Sequence, residues 1–163
     1  MDSTRRTMLI GSVAFAGTAL TLATLSGGTR ARAATFEVSH SDAEWKKLLP
    51  PDTFEVMRHE GTERPFTSAL LNEHRKGAFT CAACALPLFA STTKYDSGTG
   101  WPSFWQPLPK AVGEKTDYAI GLPRTEVHCR RCGGHLGHVF DDGPKPTGLR
   151  YCMNGVALKF KAV

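Results

Sequence analysis

The chain has 163 residues, enough for one ordinary domain, and 41% of them are hydrophobic. Its formal charge of +5 is concentrated at the start: Arg5, Arg6, Arg30 and Arg32 supply four of the 20 basic residues, and Asp2 one of the 15 acidic ones. Without residues 1–33 the charge falls to about +2, too little for an electrostatic footprint on nucleic acid or an anionic surface.

Those first 33 residues read as an export signal, followed by one domain over 34–163. Thr4-Arg5-Arg6-Thr7-Met8-Leu9 opens the segment, an apolar run rich in Ala, Gly and Thr continues to Leu25, and Ala31-Arg32-Ala33 ends it in the small-x-small pattern of a cleavage site. The paired arginines point to the twin-arginine route and a periplasmic product. An uncleaved segment would stay as a membrane anchor, but the apolar run, at about eighteen diluted residues, is marginal for a span of about twenty.

Between Thr35 and Gly61 the pattern is helical. Ser41 with Glu44 three residues on makes a capping box, Trp45, Leu48 and Leu49 form an apolar stripe, and Pro50-Pro51 ends it. A second short helix is expected from Thr53 to about His59, stopped at Gly61. Beyond it come short β-type runs broken by Gly and Pro, with candidate strands at Gly77–Cys81, Tyr118–Leu122, Thr125–Cys129 and Leu149–Phe160. No internal repeat is visible.

The strongest motif is the pair of knuckles Cys81-Ala-Ala-Cys84 and Cys129-Arg-Arg-Cys132. Two Cys-x-x-Cys pairs can present four thiolates to a tetrahedral Zn²⁺, and a full set of protein ligands makes such a site structural. The 44 residues between the knuckles mean that the metal would clip distant parts of a sheet, where closing a long loop helps most. Disulfides are the alternative in an exported protein, with three pairings to choose from. Zinc is favoured because two redox-type pairs without a βαβ pattern around them would be odd.

The fifth cysteine, Cys152, stands apart in Arg150-Tyr151-Cys152-Met153-Asn154-Gly155. Most free cysteines are small buried apolar residues. Here, however, strand alternation would put Arg150, Cys152 and Asn154 on one face, with Val156, Leu158 and Phe160 continuing that face into the core. A cation beside a thiol favours the thiolate, so Cys152 is the candidate nucleophile. Two further segments qualify as pocket walls: Lys94-Tyr95-Asp96-Ser97-Gly98-Thr99-Gly100-Trp101-Pro102-Ser103-Phe104-Trp105, too glycine-rich for a strand and too aromatic for a linker, and His135-Leu-Gly-His138-Val-Phe140-Asp141, directly after the second knuckle.

Taken jointly, the knuckles, TKYDSGTGWPSFW and CGGHLGHVFDDGPKPTGLRYCMNG resemble the B-type methionine sulfoxide reductases, over roughly Trp45 to Phe160. The resemblance implies a mainly β fold of two antiparallel sheets with short N-terminal helices, clipped by one structural zinc. It implies reduction of the R epimer of methionine sulfoxide, with Cys152 as nucleophile and Arg150 helping to activate it. His135, His138 and Asn154 would surround the sulfoxide oxygen, and Trp101 and Phe140 would form the apolar wall for the substrate. The implied partners are oxidised methionine in peptides or proteins and an external thiol reductant (a thioredoxin-like protein, glutaredoxin or small thiol), acting on a monomer. One position departs from the two-cysteine members: Thr99 stands where they carry a resolving cysteine, so a sulfenic acid on Cys152 would have to be resolved from outside. A zinc-knuckle binding module and a thiol–disulfide oxidoreductase using the Cys-x-x-Cys pairs are the alternatives from other classes.

Overall fold

In the computed structural model, residues 36–163 are described, and the export signal read in residues 1–33 lies outside them. Ser41 starts helix α1 (Asp42–Leu48) with the expected capping box: its side chain accepts from the Glu44 N–H at 3.4 Å and the Glu44 carboxylate takes the Ser41 N–H at 2.8 Å. Such a cap contributes about 1 kcal/mol. Trp45 and Leu49, four residues apart, are buried, whereas Leu48 is 60% exposed. The expected stripe is therefore narrower than three residues. Its inward line is set by Arg58 of helix α2 (Pro51–His59), whose guanidinium lies 5.3 Å over the Trp45 ring. Helix α2 begins at Pro51, two residues earlier than expected, because proline at the first helical position forfeits only an N–H that would lack a partner anyway. It ends as Glu60 turns left-handed and the Gly61 N–H reaches the Glu55 carbonyl at 3.1 Å.

Nine strands form two antiparallel sheets among the described residues. The small sheet has the order β2-β1-β9, from β1 (Gly77–Cys81), β2 (Pro87–Ala90) and β9 (Leu158–Ala162). The large one has the order β3-β4-β8-β7-β6-β5, from β3 (Lys94–Tyr95), β4 (Ser103–Phe104), β5 (Val112–Asp117), β6 (Arg124–Cys129), β7 (His135–Phe140) and β8 (Arg150–Met153). Phe79 and Phe89 of the small sheet meet Phe104 of the large one, at centroid distances of 4.9 Å and 4.3 Å, and all three are fully buried. Truncating any of them to Ala would cost roughly 3–5 kcal/mol.

Two expected strands are not strands as written. Tyr118–Leu122 is the tip of the β5–β6 hairpin, with Tyr118, Ile120 and Leu122 exposed. The Asp117 carboxylate accepts the Ala119 N–H at 2.7 Å and the Gly121 N–H reaches the Tyr118 carbonyl at 2.9 Å, so local turn bonds satisfy the backbone instead of a ladder. The run Leu149–Phe160 is two strands in different sheets: β8 stops at Met153, a 3-10 turn spans Gly155–Ala157, and β9 starts at Leu158. The break is built from side chains distant in sequence. The Glu63 carboxylate takes the Gly155 N–H at 2.6 Å, and a β-carbon at Gly155 would collide with Ser68. Cys152 and Phe160 therefore never share a face.

Candidate active site and metal centre

Cys152 lies on β8 between two strands, directly opposite Ser103 of β4 on one side and His138 of β7 on the other. Directly opposed residues of antiparallel strands point to the same face, so hydroxyl, thiol and imidazole form one row. In the next row Arg150 opposes Phe140, and the guanidinium sits 4.4 Å over that ring. Strands β7 and β8 approach so closely that a β-carbon at Gly137 would strike the Cys152 carbonyl. The glycine is what allows His138 and Cys152 to meet.

Above this row is a cavity of about 140 Å³ lined by Thr62, Trp101, Arg124, Gly137, His138, Phe140, Cys152 and Asn154. A dry cavity of about 150 Å³ holds a benzene-sized group, whereas whole cofactors and drug-sized ligands need about 300 Å³ or more. The space therefore suits one side chain. Its walls are held from behind by the segment at Thr62-Glu63. The Trp101 indole N–H donates to the Glu63 carbonyl at 2.9 Å, and the Glu63 N–H donates to Asn154 Oδ1 at 2.9 Å. Asn154 Nδ2 donates to the Leu136 carbonyl at 3.1 Å, which leaves one amide hydrogen for the cavity. Burial pushes the Glu63 carboxyl up, against the Gly155 and Val156 N–H groups that lower it.

The two histidines are oriented in opposite ways. His138 gives Nε2 to Asp117 at 2.8 Å, and Asp117 also takes Arg124 at 2.6 Å. The Ala119 N–H, His138 and Arg124 together hold the Asp117 carboxyl well below the usual range. His138 itself is held below its ordinary value, because burial outweighs the Asp117 bond. His135 instead gives Nδ1 to Glu126 at 2.8 Å, is 2% exposed, and leaves Nε2 buried with no hydrogen-bond partner. Burial raises the Glu126 carboxyl, but bonds from His128 and His135 outweigh it and bring it to about 2. His135 is packed edge-on against His138 at 5.4 Å and does not line the cavity.

Arg150 binds Asp142 through Nε and Nη2, both at 2.8 Å. Thr99 Oγ1 is 3.8 Å from Cys152 Sγ. The structure thus brings Cys152, His138, Asn154, Trp101 and Phe140 into one cavity and sets His135 one layer behind it. It adds Thr62, Glu63, Asp117, Arg124 and Glu126, which the sequence pattern does not single out. The last of these has no signal in the sequence: alternation puts Glu126 on the face opposite Val127 and Cys129, with Arg124 and His128, and its burial comes from the packing against that face.

The four remaining cysteines form a separate cluster whose sulfurs lie within 4.8 Å of one another. Cys81 ends β1 and Cys129 ends β6, so the cluster joins the two sheets, and Arg58 ties α2 to it by donating to the Cys132 carbonyl at 3.2 Å. The Cys81–Cys132 and Cys84–Cys129 separations are 3.7 Å and 3.5 Å, close to the edge of about 3.8 Å that a tetrahedron with Zn–S bonds of about 2.3 Å requires. Four thiols alone are frustrated at this spacing. Hydrogen bonds among the sulfurs drive the Cys81 and Cys132 thiols up and pull Cys129 down, because neighbouring thiols at this spacing cannot all ionise together. A divalent cation relieves that conflict by stabilising all four as thiolates. The site fits structural zinc, and none of its residues lines the cavity at Cys152.

Fold and sites define a zinc-clipped, two-sheet β protein with one thiol set in a side-chain-sized pocket. A family model described as the SelR domain matches residues 49–162. The chain is 54% identical over 127 residues to the peptide methionine sulfoxide reductase MsrB of Leptospira interrogans, covering 77% of this chain and 97% of that protein. It is 53% identical over 128 residues to the protein of the same name from Agrobacterium fabrum, with 78% and 95% covered. It is 52% identical over 126 residues to the chloroplastic peptide methionine sulfoxide reductase B1 of Arabidopsis thaliana, with 77% and 62% covered. The chain belongs to the SelR domain family.

Proposed function

We propose that the protein reduces the R epimer of methionine sulfoxide in peptides or proteins to methionine. The observation that carries this is the cavity of about 140 Å³, in which the Cys152 thiol stands among Trp101, Phe140, His138 and Asn154. An aromatic wall suits a sulfur-bound methyl group. The remaining amide hydrogen of Asn154 and the imidazole of His138 can donate to an oxygen held beside the thiol.

The chemistry balances with two electrons. The Cys152 thiolate attacks the sulfoxide sulfur as the oxygen takes up one proton. Oxygen then passes to the cysteine, so the substrate sulfur is reduced to the thioether and Cys152 is oxidised to a sulfenic acid. An external thiol attacks that sulfenic acid, releasing water and leaving a mixed disulfide, and a second thiol frees Cys152. His138 is the proton donor in this reading, with Asp117 and Arg124 fixing its ring. His135, backed by Glu126, stiffens it from behind. Zinc bound by Cys81, Cys84, Cys129 and Cys132 supplies folding free energy and takes no part in the reaction. The reductant is a thioredoxin-like protein, a glutaredoxin or a small thiol, and the catalyst is a monomer exported by the twin-arginine route to the periplasm, a reading supported by Arg5-Arg6 and the Ala31-Arg32-Ala33 site.

The decisive assay supplies resolved R and S epimers of a methionine sulfoxide peptide with dithiothreitol as reductant. Turnover of the R epimer alone is expected; equal turnover of both would overturn the stereochemical assignment, and none the activity.

A further inference from the structure

Beside Cys152, three hydroxyls are joined in a line. Ser103 Oγ is 2.7 Å from Ser97 Oγ, Ser97 Oγ is 2.8 Å from Thr99 Oγ1, and Thr99 Oγ1 is 3.8 Å from the Cys152 sulfur. Ser103 is fully buried, directly opposite Cys152 in the sheet. Counting hydrogens orders the line. Ser103 donates its only hydrogen to the Trp101 carbonyl at 3.1 Å, and a hydroxyl has just one to give. With the Ser103 hydrogen turned to the Trp101 carbonyl, Ser97 donates to Ser103, Thr99 donates to Ser97, and the Cys152 thiol donates to Thr99. Ser97 also accepts the Thr99 N–H at 3.4 Å, which its second lone pair allows.

Ionisation of Cys152 cannot leave this order intact, because a thiolate has no hydrogen to donate. Thr99 would turn its hydrogen to the sulfur, Ser97 to Thr99, and Ser103 to Ser97, so that the Trp101 carbonyl loses a donor. An O–H bond to a charged sulfur is stronger than the weak S–H bond it replaces. We infer that Ser103, Ser97 and Thr99 form a reversible hydroxyl chain that follows the protonation state of Cys152, with Thr99 the positioning residue that donates to the attacking thiolate. A threonine at this place is then more than the absence of a second cysteine. The inference deepens the proposed function, since it concerns the nucleophile of that reaction.

The counting makes an asymmetric prediction. Removing the Thr99 hydroxyl deprives the thiolate of its donor. Removing the Ser97 hydroxyl instead frees the Thr99 hydrogen, which no longer has to leave an acceptor to serve the sulfur. The charged and titratable groups around Cys152 (Arg150 on its own strand with Asp142 behind, His138 on β7, Tyr95 on β3) are untouched by either change.

The experiment measures the rate of iodoacetamide alkylation of the Cys152 peptide in the zinc-loaded protein across pH, read by mass spectrometry. Thr99→Val is expected to move the rise of the profile to higher pH and to slow alkylation near neutrality about tenfold, the size of one lost bond to a charged group. Thr99→Ser is expected to restore the wild-type profile, and Ser97→Ala to move it to lower pH. Shifts of the same sign in Thr99→Val and Ser97→Ala, or no shift in either, would overturn the inference. Should Thr99→Val fail to fold, as judged by zinc content, the sign for Ser97→Ala decides alone: downward supports the chain, upward or unchanged refutes it. Alkylation needs no sulfoxide, so a protein that passes here yet fails to reduce the R epimer would sink the proposed function and leave this inference standing.

Discussion

The molecule uses cysteine in two regions that share a residue type and little else. In the knuckles, four sulfurs are packed within 4.8 Å of one another at the ends of β1 and β6 and in the turns that follow. At Cys152 a single sulfur stands mid-strand, half-buried, with a hydroxyl on one side and an imidazole on the other. The first arrangement shares its charge with a metal and joins two sheets. The second leaves a lone pair free beside a pocket that fits one side chain. Reactivity here is decided by what surrounds the sulfur, since a thiolate satisfied by a cation is a poor nucleophile and an unshared one is available.

The sharpest way to break this comparison is to remove each kind of sulfur in turn. Cys152→Ser is expected to lower sulfoxide reduction by about 10³-fold or more with one zinc per chain retained, measured by turnover and metal analysis on the same sample. Turnover near wild type would dissolve the distinction. Cys81→Ser should do the reverse damage, releasing zinc and destabilising the fold by more than about 4 kcal/mol. A metal-free protein as stable as wild type in denaturant titration would show that the knuckles do not hold the sheets together.

A subtler change probes the imidazole. Burial already holds His138 below its ordinary value and the Asp117 bond works in the opposite sense, with Arg124 and His135 nearby lowering it. Asp117→Asn removes the raising contribution, so the pKa falls further. If protonated His138 is the acid, activity declines as pH rises through that pKa, and the variant should show the decline at lower pH, displaced by about one unit. A decline displaced upward, or not at all, would take the role from His138. The smallest disturbance is Thr99→Cys. With Thr99 Oγ1 3.8 Å from the sulfur, a thiol there needs only a modest closure to the S–S length of about 2.0 Å. Substrate without reductant should yield a disulfide between the introduced thiol and Cys152 in non-reducing peptide mass spectra, where wild type yields only a sulfenic acid. A wild-type disulfide between Cys152 and a knuckle cysteine would erase the separation between the two regions.

Acid should weaken the layer behind the pocket first. Glu126 lies at about 2 in the fold against 4.5 ordinarily, so its contribution to stability is present above about pH 4.5 and is lost as pH falls toward 2.

Much was determined by the sequence alone. The knuckle spacing carries the zinc site, the Ser41–Glu44 box starts α1 where expected, and Cys152 is singled out because it lies outside both pairs. These are local patterns, legible because caps and ligand pairs act over three or four residues. The tertiary structure decided the rest. The run from Leu149 to Phe160 has unbroken β character, yet Glu63 and Ser68, more than 85 positions earlier in the chain, force it to turn at Gly155 and change sheets. Val112–Asp117 is polar beyond Val112 and became a strand because β6 offered a ladder. The partners of the residues around Cys152, Asp117 on His138 with Arg124 on Asp117, Glu126 on His135, Glu63 on Trp101 and Asn154, come from other strands and loops. No periodicity along one strand encodes which residue will stand opposite on the next, because register is fixed by the packing of both sheets at once.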